Sequence, residues 1–195
     1  MNIELQKRLI DMAAEDEQVR EELAATGELY HGYAPRMAEV HRRNAEAMKA
    51  IIVEHGWPGR SLVGEEGAHA AWLIVQHAIG DPELQRGALP ILREAAARGE
   101  ADPWQPAYLE DRICSLERRP QKYGTQFDWD ENGVMSPWTL ADPDRVDEYR
   151  RDVGLGPLAE RVKQELENTA NEPVPENLAA REAEMLEWAR SVGWI

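Results

Sequence analysis

Three polar side chains interrupt an otherwise apolar stretch of the chain, and they are the first candidates for chemistry. The run from Gly64 to Ala78 reads GEEGAHAAWLIVQHA, and in its second part only His69, Gln76 and His77 are polar. Burying a polar group without a partner costs about 1–3 kcal/mol. We therefore expect Gln76 and His77 either to be hydrogen-bonded inside the protein or to line a cavity.

A histidine can transfer protons at neutral pH, because its ordinary pKa lies close to 7. His77 is therefore a candidate general acid or base. The alternative is a core histidine whose hydrogen bond fastens its helix to a neighbour, and His69 leaves the same two interpretations open. His69 and His77 lie about 12 Å apart along a helix axis, too far to bind one ion together. Glu65 and His69 have a spacing that could hold an ion, but such pairs are common by chance, so we predict no metal and no cofactor.

A second group of polar residues lies in PAYLEDRICSL, from Pro106 to Leu116. At helical spacing this segment places Tyr108 and Asp111 on one face, with Arg112 at its edge. Asp111 and Arg112 could form an internal salt bridge, or each could brace a loop through a charge-assisted hydrogen bond. The functional alternative is that Arg112 binds a carboxylate or a phosphate.

A third group lies in QKYGTQF, which we interpret as a strand. In a strand, Tyr123 and Thr125 share one face, and Gly124 and Gln126 share the other. Glycine within a strand often marks the close approach of another backbone or of a ligand, although it can also serve packing alone.

The leading hypothesis is that these distant segments meet around one polar pocket. The predicted catalytic residues are His77, Tyr123 and Asp111. The predicted substrate-binding residues are Gln76, Arg112, Tyr108, Thr125 and Gln126. In this hypothesis His77 is the general acid or base, Arg112 binds an anionic group, and the reaction is hydrolysis or group transfer on a small polar or anionic metabolite.

The alternative hypothesis is a protein without catalytic activity. The same residues would form a buried hydrogen-bond network, and the acidic surface would bind a basic protein partner, as an immunity or regulatory protein does. The formal net charge of −15 counts against binding to nucleic acid or to a membrane surface. A homodimer is compatible with the sequence.

Several familiar patterns are missing from the sequence. It contains no GxSxG, no phosphate-binding P-loop and no GxGxxG motif. The single cysteine, Cys114, excludes a disulfide within the chain, and its position among apolar residues predicts an inert buried thiol. The first residues do not resemble a secretory signal, and no run approaches the roughly 20 apolar residues of a membrane span. We therefore expect a cytoplasmic protein.

The elements that must position these residues are mostly helices. Apolar periodicity predicts helices over about 2–25, 35–55 and 64–78, and Asp81 and Pro82 begin another in which Pro90 predicts a kink or a break. A further helix reaches about Leu116. A β-hairpin is predicted from about 122–128 and 134–139, followed by two short helices.

The predicted fold is therefore a mainly α, multi-helix single domain with a small hairpin near residues 122–139. Residues 1–168 form its helical core. The composition of residues 169–177 is typical of a linker, and residues 178–195 form an amphipathic C-terminal helix that packs on the core.

Four motifs taken together are familiar: GWPGRSLVGEEGAHAAWLIVQHA, ALPILREAAARGE, AYLEDR and QKYGTQF. Over roughly residues 40–160 the chain resembles an uncharacterised bacterial family, largely actinobacterial, that is filed as a domain of unknown function. The resemblance implies a small, mostly helical cytosolic protein and no particular reaction. The family's motif positions match here at Val63, Gly64, Gly67, Gln76, His77, Tyr108, Asp111, Arg112, Tyr123, Gly124, Thr125 and Gln126. His69 departs from the family pattern.

Overall fold

Helices dominate the chain, as the periodicity predicts, and a small antiparallel hairpin accompanies them. The structure is a computed structural model that describes residues 1–30, 32–170 and 172–195. The helices are α1 (Ile3–Thr26), α2 (Pro35–His55), α3 (Arg60–His77), α4 (Pro82–Ala97), α5 (Trp104–Leu116), α6 (Val146–Asp152), α7 (Leu158–Asn168) and α8 (Leu178–Val192). The strands are β1 (Phe127–Trp129) and β2 (Met135–Pro137). The mainly α fold class is thus confirmed.

The chain divides into two compact units, residues 1–106 and residues 107–195, with the boundary inside α5. The predicted division into a core of residues 1–168, a linker of residues 169–177 and a terminal helix that packs on the core stays a prediction. Residue 171, within that linker, lies outside the described residues.

In the first unit α1 and α3 run parallel, and α2 runs antiparallel to α1. The backbone N–H of Asn2 donates to the carbonyl of Leu62 over 2.6 Å, which joins the start of α1 to the first turn of α3. At the other end of α1, Arg36 of α2 forms an ion pair with Glu22 over 2.6 Å. The later residue Arg43 of α2 pairs with the earlier residue Glu15 of α1 over 2.7 Å.

Two glycines allow α1 and α3 to approach closely. Helix α3 begins at Arg60, one turn earlier than predicted. Gly64 has a φ of 69°, which interrupts the helical geometry, so α3 bends at this residue. A Cβ atom on Gly64 would lie 2.9 Å from the side-chain nitrogen of Gln6, and one on Gly67 would lie 3.3 Å from Gln6 Cγ. A side chain at Gly64 would be strained by the positive φ, and one at Gly67 would first meet Cβ of Val63, 2.8 Å away within α3; at both positions the side chain of Gln6 would have to move.

The sequence predicted a kink or a break at Pro90, and a break does not occur, because α4 continues from Pro82 to Ala97 through this residue. Proline removes one N–H donor from a helix, but the surrounding helix can persist when its apolar face is buried. That face includes Leu84, Ala88, Leu92 and Ala95, all buried. Tertiary packing therefore outweighs the local penalty at Pro90.

In the second unit the hairpin is shorter than predicted. Phe127 pairs with Pro137, and Trp129 pairs with Met135, so the strand does not include residues 122–126. Gly124 has a φ of 64°, which is incompatible with a strand. The prediction that residues 123–126 alternate between two strand faces is therefore wrong. The structural reason is the side chain of Asp111, described below.

No helix in the described parts of the chain is long and apolar enough to cross a membrane.

Candidate functional site

A buried carboxylate lies at the centre of the first unit. The buried positions of α1 recur every three or four residues and are Leu5, Leu9, Ala13, Asp16, Val19 and Leu23. Asp16, an acid within this apolar stripe, is only 1% exposed. A charge placed there requires partners, because its removal from water is costly. The spacing alone marks Asp16 as unusual, and the sequence prediction overlooked it.

His77, at the end of α3, is one partner of Asp16. Its Nδ1 atom lies 2.8 Å from Oδ1 of Asp16, and 19% of its side chain is exposed. An ionised carboxylate can only accept hydrogen bonds, so Nδ1 of His77 carries the hydrogen. In the neutral ring, the lone pair is therefore on Nε2. This hydrogen bond fastens α3 to α1, as the structural alternative for His77 expected.

His41, on α2, is the second partner of Asp16. Its Nε2 atom lies 3.2 Å from Oδ2 of Asp16, while its Nδ1 atom lies 2.8 Å from the phenol oxygen of Tyr33. The rings of His41 and His77 have their centroids 5.6 Å apart. We call Asp16, His41, His77 and Tyr33 the Asp16 cluster.

An apolar cluster beside Tyr33 and His41 holds α1 and α2 together. Its buried residues are Val19, Leu23, Ala34, Met37 and Val40, with Leu29 and Tyr33 packed against them. Val40 directly precedes His41, and Val19 lies one turn beyond Asp16. The packing of these neighbours fixes the two helices, and so it brings His41 to Asp16.

The environment shifts two pKa values within the Asp16 cluster. Burial opposes ionisation of Asp16, but His41 and His77 outweigh that effect, so the pKa of Asp16 is lowered. Burial, together with the negative charge of Asp16, raises the pKa of Tyr33. At neutral pH the cluster therefore holds an ionised carboxylate and a protonated phenol.

Gln76, the residue before His77, is buried, with 3% exposure. Its carbonyl oxygen and that of Val75 accept hydrogen bonds from the side chain of Gln85 on α4, at 3.1 and 2.9 Å. The carbonyl of Val75 also accepts from the backbone N–H of Ala78 over 3.2 Å, so Gln85 adds a second donor there and gives the carbonyl of Gln76 a partner at the end of α3. Sequence reasoning named Gln76 but missed Gln85.

In the second unit, Asp111 is fully buried and holds the segment after α5. Its carboxylate accepts hydrogen bonds from the backbone N–H groups of Lys122, Tyr123 and Thr125 over 2.8–3.1 Å. The hydroxyl group of Thr125 donates to it over 3.0 Å. Burial raises the pKa of Asp111, and the hydrogen bonds from these donors offset only part of that rise. Because Asp111 takes these N–H groups, residues 122–125 cannot pair as a strand.

Two further residues, missed by sequence reasoning, complete this arrangement. The side chain of Gln121 donates to the carbonyls of Gln126 and Trp138, each over 2.9 Å, and its oxygen accepts from the N–H of Gln126. The buried guanidinium of Arg150 donates to the carbonyl of Tyr123 over 2.7 Å. The loop therefore has side-chain partners in place of a strand ladder.

The other predicted site residues of the second unit lie on α5 and in this loop. Tyr108 and Arg112 are half-buried on α5, and the amide of Gln126 donates to the hydroxyl of Thr125 over 3.0 Å. Asp111, Tyr123, Thr125 and Gln126 thus lie together. Gln76 and His77 belong to the other unit, so the predicted pocket that joins both groups stays a prediction.

The first unit also contains a cavity of about 470 Å³ between α1 and α3. Its lining includes Glu17, which follows Asp16, and Leu73, which lies one turn before His77. Glu65, Glu66 and Asp102 also line it, together with Arg60, which pairs with Glu65 and Asp102. This excess of carboxylates makes the cavity unsuitable for an anion.

Two comparisons with known proteins found nothing, and one found a family. A family model described as "Family of unknown function (DUF6624)" matches residues 3–171. The match is wider than the resemblance over residues 40–160, and it includes α1 with Asp16. No curated protein and no solved structure matches the sequence.

Proposed function

Because the chain belongs to the family of unknown function DUF6624, we propose its function from its side chains alone. We propose that it is an enzyme whose reaction centre is the Asp16 cluster. The reaction is hydrolysis or group transfer on a small polar or anionic metabolite. In either reaction a water molecule or a hydroxyl group must lose a proton as it attacks.

The observation that carries this proposal is the 2.8 Å hydrogen bond between buried Asp16 and partly exposed His77. Asp16 holds the proton of His77 on Nδ1, so that Nε2 can accept a proton from the attacking group. The charge of Asp16 then stabilises the imidazolium that forms. A positioned base of this kind contributes about 10²–10⁴-fold to a rate.

His41 and Tyr33 act as positioning residues in this proposal. His41 faces the other oxygen of Asp16, and Tyr33 fixes the ring of His41 through its Nδ1 atom. A base must be held in place to be effective, since small displacements from the productive geometry slow a reaction strongly.

The contacts in the second unit bear on the roles predicted for its residues. Asp111 accepts hydrogen bonds from three backbone N–H groups and one hydroxyl, an arrangement that suits a loop brace better than a base. We therefore propose that Asp111 and Thr125 hold the loop. Within the second unit, Arg112 remains the proposed binding residue for an anionic group, and Tyr108, Tyr123 and Gln126 remain proposed contacts of a polar molecule. Within the first unit, Gln76 remains a proposed contact of the substrate.

The experiment is an assay of hydrolysis with p-nitrophenyl acetate, p-nitrophenyl phosphate and bis-p-nitrophenyl phosphate. His77→Asn keeps a side-chain N–H near the position of Nδ1 but lacks Nε2. We expect it to lower kcat at least about 100-fold on any ester that the protein cleaves. His55→Gln, on α2, is the matched control and keeps full activity. Full activity of His77→Asn would remove His77 from the mechanism.

A second candidate function is supported by the net charge of −15. An acidic surface attracts basic proteins, so the chain could act as an immunity or regulatory protein for a basic partner. Its test is a pull-down from the cells that express the chain. The partner must dissociate as salt rises, and His77→Asn must not weaken the complex.

The melting temperature of His77→Ala does not separate these two functions. Removal of the ring leaves buried Asp16 without one of its partners, so destabilisation follows whether or not the cluster is catalytic. The two functions are separated if His77→Asn melts close to the wild-type temperature and has lost hydrolysis, because only a catalytic role of His77 predicts that combination.

A further inference from the structure

We propose that Asp16, His41 and His77 bind one divalent transition-metal ion, such as Zn²⁺. This inference rests on the proposed function for the place of the reaction, the Asp16 cluster; with the ion bound, activation of water by the ion would replace proton transfer to His77. The sequence predicted no metal, because the three ligands lie on three different helices, α1, α2 and α3, and no local pattern connects them.

The spacing of the three side chains suits a single ion. Each offers one ligand atom, and these atoms lie within 4.8 Å of one another. Nδ1 of His77 lies 2.8 Å from Oδ1 of Asp16, and Nε2 of His41 lies 3.2 Å from Oδ2, so each histidine contacts its own oxygen of the carboxylate. Ligand atoms about 2.0–2.2 Å from a zinc ion lie roughly 3–3.5 Å from one another. A small adjustment of the two imidazole rings and of the carboxylate would bring one ligand atom from each side chain to a single ion.

Two buried atoms of this group lack hydrogen bonds within the described part of the chain. They are Oδ2 of Asp16 and Nε2 of His41, which face each other at 3.2 Å without the alignment of a hydrogen bond. Buried polar atoms are usually satisfied, and each exception needs a physical reason. A cation between these two atoms would satisfy both at once.

Tyr33 supplies the outer contact that a ligating histidine usually has. The phenol oxygen of Tyr33 lies 2.8 Å from Nδ1 of His41. If Nδ1 donates its hydrogen to this oxygen, Nε2 has a lone pair directed at Asp16. Outer contacts of this kind fix the tautomer and orientation of a metal ligand.

The chemistry of the donors indicates the class of ion. Two imidazole nitrogens and one carboxylate oxygen favour zinc and its transition-metal neighbours over Mg²⁺ or Ca²⁺, which prefer oxygen. Three protein ligands leave at least one position for water. Coordination by Nδ1 of His77 releases its proton to solvent, and His77 then acts as a ligand while the bound water supplies the nucleophile.

The experiment is calorimetric titration of the full chain with ZnCl₂ after chelator treatment and dialysis. We expect one ion per chain. Asp16→Asn, His41→Gln and His77→Asn must each weaken binding at least 10-fold. Asp11→Asn on α1 and His55→Gln on α2 are the matched controls, and both must bind as the wild type does. Equal binding by all variants, or no binding by the wild type, would overturn the ion site.

A second measurement applies if the three variants do not fold. Paramagnetic Co²⁺, added to the wild-type chain, must shift the NMR signals of the ring protons of His41 and His77 and leave those of exposed His55 in place. Shifts of exposed histidines alone would show surface binding and would also overturn the proposal.

The outcome for the ion is separable from the outcome for the enzyme. Zinc binding at the three residues without hydrolysis of any ester supports the ion site and removes the proposed function. Hydrolysis that persists after complete removal of metal, and that needs His77, supports His77 as a base and overturns the role of the ion in the reaction.

Discussion

Two buried aspartates, Asp16 in the first unit and Asp111 in the second, are held in different ways. The partners of Asp16 are two side chains that can gain or lose a proton, and one of them, His77, is partly exposed. The partners of Asp111 are three backbone N–H groups and a hydroxyl, none of which titrates near neutral pH. Burial alone therefore does not distinguish the proposed reaction centre from a structural brace.

The difference lies in what the partners can do when the carboxylate gains a proton or is replaced. Histidines beside Asp16 can release a proton, bind a metal or accept another donor. Backbone N–H groups around Asp111 have no such alternative, since the loop would have to unfold to reach water. We therefore expect the loss of Asp111 to cost more stability, and the loss of Asp16 to cost more function.

The largest expected effect is the substitution Asp111→Ala. It leaves three buried N–H groups without an acceptor, so we expect a loss of roughly 3–5 kcal/mol in the free energy of unfolding. Urea denaturation measures this loss. Asp152→Ala, an exposed aspartate on α6, is the control and should leave the midpoint close to that of the wild type. A small loss for Asp111→Ala would remove the distinction between the two aspartates.

A smaller effect is expected for Asp16→Asn. The amide keeps one oxygen that can accept from His77, and the histidines can adjust their protons, so the cost is about 1–3 kcal/mol. Asp11→Asn, exposed on the same helix and paired with Lys7, is the control. If Asp16→Asn proves more destabilising than Asp111→Ala, the assignment of Asp16 to function loses its basis.

The pH dependence of stability tests how Asp16 is held. Its pKa is lowered in the folded chain, so its ionised form stabilises the fold above the unfolded value of about 3.9. This stabilisation is lost as pH falls. In chelator, the stability difference between the wild type and Asp16→Asn should therefore begin to shrink below about pH 5 and go on shrinking as the pH falls through about 3 and lower. A difference that stays constant over this range would mean that Asp16 is not held by its histidines.

The smallest expected effect concerns Cys114, three residues after Asp111 on α5. The thiol is buried, with 8% exposure, and burial raises its pKa. We expect iodoacetamide to alkylate the native chain slowly at pH 8 and the urea-unfolded chain rapidly. Mass spectrometry counts the modified chains. Equal rates for both forms would show that this part of α5 opens readily.

The sequence was informative about helices and much less so about the loop after α5. Pro35 and Gly56 bound α2 where local rules place them, because capping is decided by neighbouring residues. The segment QKYGTQF has strand-like composition, but Asp111 takes its N–H groups from ten or more positions away. Local preference cannot anticipate a contact of that kind.

The candidate site shows the same limit. His77 was identifiable, because a polar residue in an apolar helix is costly. Asp16 was identifiable by the same rule, since it lies in the buried stripe of α1. The contact of Asp16 with His41 and His77 was not identifiable from the sequence. It depends on how three helices pack at Gly64 and at the apolar cluster beside Tyr33.

The most direct test of the central claim is the tautomer of His77 in the metal-free chain. Long-range ¹H–¹⁵N NMR spectra distinguish a hydrogen on Nδ1 from one on Nε2. If Asp16 holds His77 as described, the neutral ring carries its hydrogen on Nδ1, and Asp16→Asn weakens this preference. A neutral ring protonated on Nε2 in the folded wild-type chain would contradict the account.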